Sequence, residues 1–288
     1  MVYITGDIHG SLEPIYDMFA KYHPNKDDII VILGDVGVNY TGTLQDIGIK
    51  KAMSKLGSIF FCIHGNHENR PQNIASYEEK EWNGGRVMYE EDFPNLLFPI
   101  DGEIFDIEGK KCIVIGGAYS VDKFYRLRNG YRWWADEQPS PKIKKYVEKQ
   151  LSENKIDFVF SHTCPAKYIP TECFLSGIDQ SRVDNSTEEW LDTIEDKIEY
   201  LHVYKQFIPI FNIDAPQFKS YLIEHRKKYG ENHIITSSRI PKTGYNLIDR
   251  SEFDFWGKEY NSQNLSDFLI GSSFTIFGYI DPPKNNMI

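Results

Sequence analysis

The stretch VYITGDIHGS, Val2 to Ser11, decides how this chain is read. Its first four residues are apolar or β-branched and read as a buried strand that stops at Gly6. Asp7 and His9 then stand two apart before a second glycine. Alone, the pair reads equally well as a polar turn capping a strand. The question is whether other strands end the same way.

They do. IIVILGDVG carries a strand over residues 29–33 into Gly34 and Asp35, SIFFCIHGNHE carries one into Gly65, Asn66, His67 and Glu68, and DFVFSHT ends on Ser161 and His162. Helical spacing separates the first three, over residues 12–22 and 43–56, the second with Leu44, Ile47, Met53 and Leu56 as apolar positions. Strand alternating with helix predicts a largely parallel sheet covered by helices. Ligands of open α/β sheets bind beyond the carboxyl ends of the strands, so Asp7, His9, Asp35, Asn66 and His162 are expected to converge on one crevice. Carboxylate and imidazole donors gathered there suit ions of the Zn, Fe or Mn type.

Further along, residues 86–119 change to consecutive short strands. GEIFDIEGKKCIVIGGAY reads as a hairpin turning at Gly109 and Lys110, so a second sheet or an extension of the first is expected. Pro141 opens a helix to Ser152, and Ser186 with Glu189 forms a capping-box pattern before EEWLDTIEDKIEY. Beyond about residue 200, a helix over 216–229, a strand over 233–237 and the aromatic-rich SDFLIGSSFTIFGYID bear no relation to what precedes them.

With 288 residues and 41% hydrophobic composition, the chain can bury the core of one large domain, or of one domain with an appendage. No run approaches the ~18 apolar residues of a membrane span. The start lacks the basic and apolar regions of a signal peptide, so a cytoplasmic location without membrane partners is expected. Cys62, Cys112, Cys164 and Cys173 show no CxxC spacing and read as buried free thiols. A formal net charge of -10 repels polyanions and argues against a nucleic-acid partner gripped through a basic face. Phosphate binding would therefore need a few arginines or metal ions.

GDIHG, the GD at 34–35, GNHE and the SH at 161–162, in that order, resemble the motifs of the calcineurin-like metallophosphoesterases, which include serine/threonine protein phosphatases and many phosphodiesterases. The resemblance covers roughly residues 1–200. CIHGNHENRP, IGGAYSVDK and LSGIDQSRVD are also similar to a bacterial or phage-associated subgroup of small phosphoesterases. It implies an α/β fold, a sandwich of two mixed β-sheets flanked by helices, and hydrolysis of a small phosphomonoester or diester by a hydroxide formed between two divalent ions. Carried over by position, Asp7 and His9 would hold the first ion, Asp35 would bridge and help catalysis, and Asn66 and His162 would hold the second. Asn66 would also face substrate. His67 would give a proton to the leaving group or a hydrogen bond to the phosphoryl oxygens, with Glu68 in support. Arg70 is the first candidate for a cation on the phosphate; Arg126 and Arg128 come second, against an ordinary reading as surface residues.

The chain departs from that pattern. It has no GHxH motif; beyond His162 only His202, His225 and His233 remain as replacements, and LHVY at 201–204 is a poor counterpart. Fewer imidazoles should weaken the second ion and favour Mn or Mg over tightly held Zn. Val38 and Asn39 stand where protein phosphatases carry an Asp-Arg pair, which disfavours that activity. The rival reading is a weak or inactive phosphoesterase fold kept as a phosphate-ligand or partner-binding module. Residues 201–288 are left as an unassigned segment, a candidate small α/β appendage. Tyr131, Trp133 and Trp134 read as packing residues, with a base-stacking wall as the sharper alternative.

Overall fold

β1 (Val2–Thr5), α1 (Glu13–Tyr22), β2 (Ile29–Ile32), α2 (Leu44–Ser54) and β3 (Ile59–Cys62) open the computed structural model, which describes residues 1–169, 180–196, 234–236 and 278–280. Two right-sized crossovers make the three strands parallel, with Val2 opposite Ile29 and Ile29 opposite Ile59. Nearly every position in them is buried, because helices cover one face and a second sheet the other. A hairpin of β4 (Glu78–Trp82) and β5 (Gly85–Tyr89) follows, and β6 (Leu96–Pro99) returns parallel to β3. The large sheet runs β11-β1-β2-β3-β6-β5-β4, where β11 (Gly278–Ile280) lies antiparallel on β1.

The small sheet is β7 (Ile104–Ile107), β8 (Lys110–Ile115), β9 (Phe158–Ser161) and β10 (Ile234–Thr236), in the order β10-β9-β8-β7. β7 and β8 are antiparallel, whereas β9 and β10 add in parallel. Strand alternation sorts the core into layers. Val2, Ile4, Val31 and Phe61 meet Phe105, Val114 and Phe160 between the sheets. Tyr3, Ile30, Ile32 and Phe60 face outward onto Ile15 and Met18 of α1 and Met53 of α2. Ile113, Ile115 and Val159 are covered by Val147 of α4 (Pro141–Glu153) and by Trp190, Leu191 and Ile194 of α5 (Ser186–Glu195). The result is the expected sandwich of two mixed sheets flanked by helices. Each fully buried large side chain contributes about 1.5–3 kcal/mol, and a one-residue slip would turn all of them to the wrong layer.

Four local readings need correction. α2 does not bury Leu44 and Ile47, which are exposed; it buries Asp46, Lys50 and Met53. Asp46 accepts from Thr41 N, Thr41 Oγ1 and Gly42 N, and Lys50 pairs with Glu90 at 2.6 Å, so specific partners rather than apolarity choose the inward face. The β7–β8 turn is Glu108-Gly109, with φ of 53° and 74°, because Ile107 lies opposite Lys110. Ser186 is the first helical residue of α5, not its cap, and its N–H donates to Asp184 Oδ1. β4 was not foreseen at all. Its Glu78, Glu79 and Glu81 suit an exposed edge strand, where charge blocks pairing with another chain.

Cys62, Cys112 and Cys164 are buried and free, while Cys173 lies outside the described residues. The strand expected over 233–237 appears as β10; the helix expected over 216–229, His202, His225 and His233 lie outside the described residues. Among the described residues, no helix is long and apolar enough to cross a membrane.

Candidate metal centre

Loops at the carboxyl ends of β1, β2, β3 and β9 meet at one point. Backbone hydrogen bonds lay the first loop on the second: His9 N donates to Asp35 O at 2.8 Å and Gly10 N to Val36 O at 2.8 Å. Glu68 ties the second to the third, accepting from Gly65 N through Oε1 (2.8 Å) and from Val36 N through Oε2 (3.2 Å). Packing is close enough to dictate glycine. A Cβ on Gly65 would sit 2.1 Å from Asp35 Oδ1, and one on Gly34 (φ 107°) would sit 2.1 Å from His162 Nδ1. His9 (φ 45°) and Asp35 (φ 47°) hold left-handed backbone conformations despite their side chains. Such residues cost on the order of 1–3 kcal/mol each and persist where surrounding structure and function demand them.

The side chains form a continuous cluster. His9 Nε2 lies 3.8 Å from Asp7 Oδ2 and 3.7 Å from Asp35 Oδ2. His162 lies 3.8 Å from Asp7 Oδ1 through Nδ1 and 3.7 Å from Asp35 Oδ1 through Nε2. Its Nδ1 also faces Leu33 O at 2.8 Å, and its Nε2 faces Asn66 Oδ1 at 2.8 Å. His67 N donates to Asp35 Oδ1 at 2.8 Å, and the rings of His9 and His67 meet edge to face at 5.5 Å. Ligand atoms of His9, Asp35 and His67 all lie within 4.8 Å of one another.

Asp35 is fully buried. Burial alone would raise its carboxyl, but the imidazoles of His162, His67 and His9, with the His67 N–H, hold it down at about 2. Its Oδ2 has no hydrogen bond among the described residues. A buried anionic oxygen without a hydrogen bond is costly unless a cation meets it, so the donor set fits a divalent ion. Burial, with Asp35 and Asp7 nearby, pushes the Glu68 carboxyl well above its ordinary range, although its two backbone N–H bonds oppose this.

Several supporting residues were missed. Ser120, fully buried in the loop after β8, accepts from Asn66 Nδ2 at 2.8 Å and donates to Asn66 O at 3.3 Å. Glu137 holds Ser120 N at 3.2 Å and Trp133 Nε1 at 2.7 Å. Asp122 Oδ1 stands 3.5 Å from His67 Nε2. The signals in the sequence here are the glycine pair before Ser120 and the family likeness of IGGAYSVDK, which contains Ser120 and Asp122.

Of the arginines, Arg126 is 3% exposed rather than a surface residue. It lies on α3 (Lys123–Arg128), its Nη1 donates to Ser120 Oγ at 3.3 Å, and its guanidinium lies 5.6 Å from the centre of the Tyr40 ring. Arg128 is exposed. Arg70 is neither a surface salt bridge nor open to solvent. Buried, it donates to Asp101 Oδ2 at 2.6 Å and to Asp136 O at 2.8 Å, while Asp101 Oδ1 accepts from Gly116 N at 2.7 Å. His64 packs beneath, with neither ring nitrogen hydrogen-bonded among the described residues. Burial, Arg70 and His162 keep it neutral, well below the ordinary histidine range. With Glu68 and Arg70 it lines a cavity of about 10 Å³, room for one water.

The sequence model of the calcineurin-like phosphoesterase family matches residues 1–195. The probable glycerophosphodiester phosphodiesterase GpdQ of Arcobacter nitrofigilis is 30% identical over 108 residues, which is 36% of this chain and 38% of that protein. The match thus spans less than half the length of that curated relative.

Proposed function

The chain belongs to the calcineurin-like phosphoesterases, and from that membership we propose that it hydrolyses a small phosphoester at the crevice formed by Asp7, His9, Asp35, Asn66, His67 and His162. The observation that carries this reading is Asp35, a carboxylate buried among three imidazoles with one oxygen lacking a hydrogen bond among the described residues. Likeness to a probable glycerophosphodiester phosphodiesterase puts diesters first among substrates.

Asp7 and His9 would hold one divalent ion, Asn66 and His162 the other, with Asp35 between; Mn is the preferred metal. Such ions supply Lewis-acid polarisation of phosphoryl oxygens and make water acidic enough to attack near neutral pH. The chain's own residues set the geometry. Leu33 O holds His162 Nδ1, which leaves Nε2 to face the crevice. Ser120 takes Asn66 Nδ2, so that Asn66 Oδ1 points inward. In hydrolysis the water oxygen bonds to phosphorus and releases a proton to solvent, the ester P–O bond breaks, and the leaving oxygen takes a proton. His67 would give that proton, with Asp122 Oδ1, 3.5 Å from its Nε2, steadying the ring. Arg126, one hydroxyl away from Asn66, supplies the nearby fixed positive charge, and Arg70 holds the supporting loops.

The test is turnover of chromogenic phosphomonoesters and diesters by the full chain with Mn added. Mn-dependent turnover that a chelator abolishes is expected. Failure across a broad ester panel, with phosphate ligands still bound, would leave a binding module instead.

A further inference from the structure

α5 faces two ways. Trp190, Leu191 and Ile194 cover the small sheet. Its second stripe is acidic: Glu188, Asp192 and Glu195 recur at i, i+4 and i+7, which sets them on one face. Each holds the segment that leaves β9. Glu188 Oε1 accepts from Thr163 Oγ1 at 2.7 Å, Asp192 Oδ1 from Lys167 N at 3.2 Å, and Glu195 Oε1 from the Tyr168 hydroxyl. Thr163 is the residue after His162, so this strap begins one residue beyond a candidate ligand.

Glu188 is the member of the stripe that packing does not explain. It is 7% exposed, and its Oε2 has no hydrogen bond among the described residues. Its place in the first turn of α5 favours a negative charge, yet a buried carboxylate with one oxygen unmet costs more than an apolar side chain there would. Burial raises its carboxyl, while the Thr163 hydroxyl and the nearby His162 imidazole oppose that. What the carboxylate secures is a turn. Ser161 Oγ donates to Thr163 O at 2.7 Å and His162 N to Ile115 O at 3.3 Å, so with Glu188 on Thr163 Oγ1 the residues on both sides of His162 are tied. The His162 ring then meets Leu33 O, which can only accept, so Nδ1 carries the hydrogen of their 2.8 Å bond.

We propose that Glu188 is a positioning residue for the metal centre, fixing through Thr163 Oγ1 the turn that points His162 Nε2 into the crevice. This role rests on the metal-centre reading above, and two measurements on the full chain tell their failures apart. In the first, calorimetry gives Mn affinity for the wild type, Thr163→Val, Glu188→Ala and the double variant. Each single variant should bind about tenfold more weakly, and the double variant no more weakly than either, because one hydrogen bond is lost in all three. Thr163→Ser, which returns the hydroxyl, should bind as tightly as the wild type. In the second, Co(II) replaces Mn and proton NMR follows the ring Nδ1–H of His162, shifted by the metal and identified by its loss in His162→Asn. That proton should exchange slowly with water in the wild type and in Thr163→Ser, and should broaden through faster exchange in Thr163→Val.

Mn affinity and ring signal unchanged in Thr163→Val and Glu188→Ala, even where urea denaturation shows lost stability, would overturn the inference, leave the metal reading intact and make the acidic stripe a structural strap only. A wild type that binds neither Mn nor Co would end the metal reading, and the inference with it. If Glu188→Ala does not fold, Thr163→Val against Thr163→Ser decides alone, since both leave α5 untouched.

Discussion

The large sheet and the small sheet both feed the candidate metal centre, but they do so differently. The loops after β1, β2 and β3 are locked by backbone hydrogen bonds and by left-handed residues at His9 and Asp35. Those after β8 and β9 bring His162 on a strand end and Ser120, Asp122 and Arg126 on a long, irregular segment. One sheet supplies most of the candidate ligands from a rigid backbone; the other adds His162 and supports its neighbours through side-chain hydrogen bonds. Rigid backbone tolerates little substitution, and side-chain support should fail by degrees.

The largest test strikes the rigid side. Asp35→Asn keeps the shape and removes the charge that the three imidazoles surround. Turnover of a diester with Mn should fall about 10³-fold or more, the scale of losing a group that stabilises transition-state charge. Protein purified with added metal should also retain fewer metal equivalents by elemental analysis. Full activity would show that the bridging role belongs elsewhere.

Next comes the strut joining the two sides. Asp101 binds Arg70 with one oxygen and Gly116 N with the other, so Asp101→Ala leaves a buried guanidinium without its counter-charge. A loss of about 3–5 kcal/mol is expected in urea denaturation. Pairing Asp101→Ala with Arg70→Met should recover part of it. No recovery would mean that the Gly116 hydrogen bond, not the ion pair, is what matters.

Ser120→Ala probes the softer side. Asn66 Nδ2 and Arg126 Nη1 both lose their acceptor, which frees the amide to turn. Mn affinity by calorimetry should weaken about 10–100-fold with the fold retained. Unchanged affinity would mean that the backbone alone fixes Asn66.

The same contrast decides what was legible in the sequence. Asp7, Asp35, Asn66 and His162 stand directly after apolar runs, so strand ends alone put them in one crevice. Asp101 and Ser120 meet partners 31 and 54 residues away, and no local pattern carries such pairings. Arg126 reads as a surface residue because nothing local in KFYRLR marks one of its cations for burial, yet aromatic rings and Ser120 bury it. The Asn83-Gly84 turn between β4 and β5, with φ of 47° and 87°, is a strong hairpin signal, and the glutamates of the edge strand concealed it. In α2, an apolar pattern misled because Asp46 and Lys50 are buried by particular partners.

The smallest expected effect separates two carboxylates inside the rigid side, Asp35 and Glu68. The imidazoles hold Asp35 at about 2, below its ordinary 3.8, so in the metal-free protein its contribution to stability is present above pH 3.8 and is lost as pH falls towards 2. Glu68 is raised well above its ordinary 4.5, chiefly by burial and then by Asp35. Its effect has the opposite sign: favourable below pH 4.5 and lost as pH rises, because the unfolded chain gives up the proton first. Urea denaturation of metal-stripped protein in pH steps should therefore show the wild type gaining on Asp35→Asn as pH rises from 2 to 4. Above pH 4.5 it should lose ground to Glu68→Gln. Differences running in the same direction for both variants would mean that the two carboxylates share a proton across the Val36 and Gly65 loops and titrate as one unit. The clamp would then belong to the electrostatics of the centre as well as to its backbone.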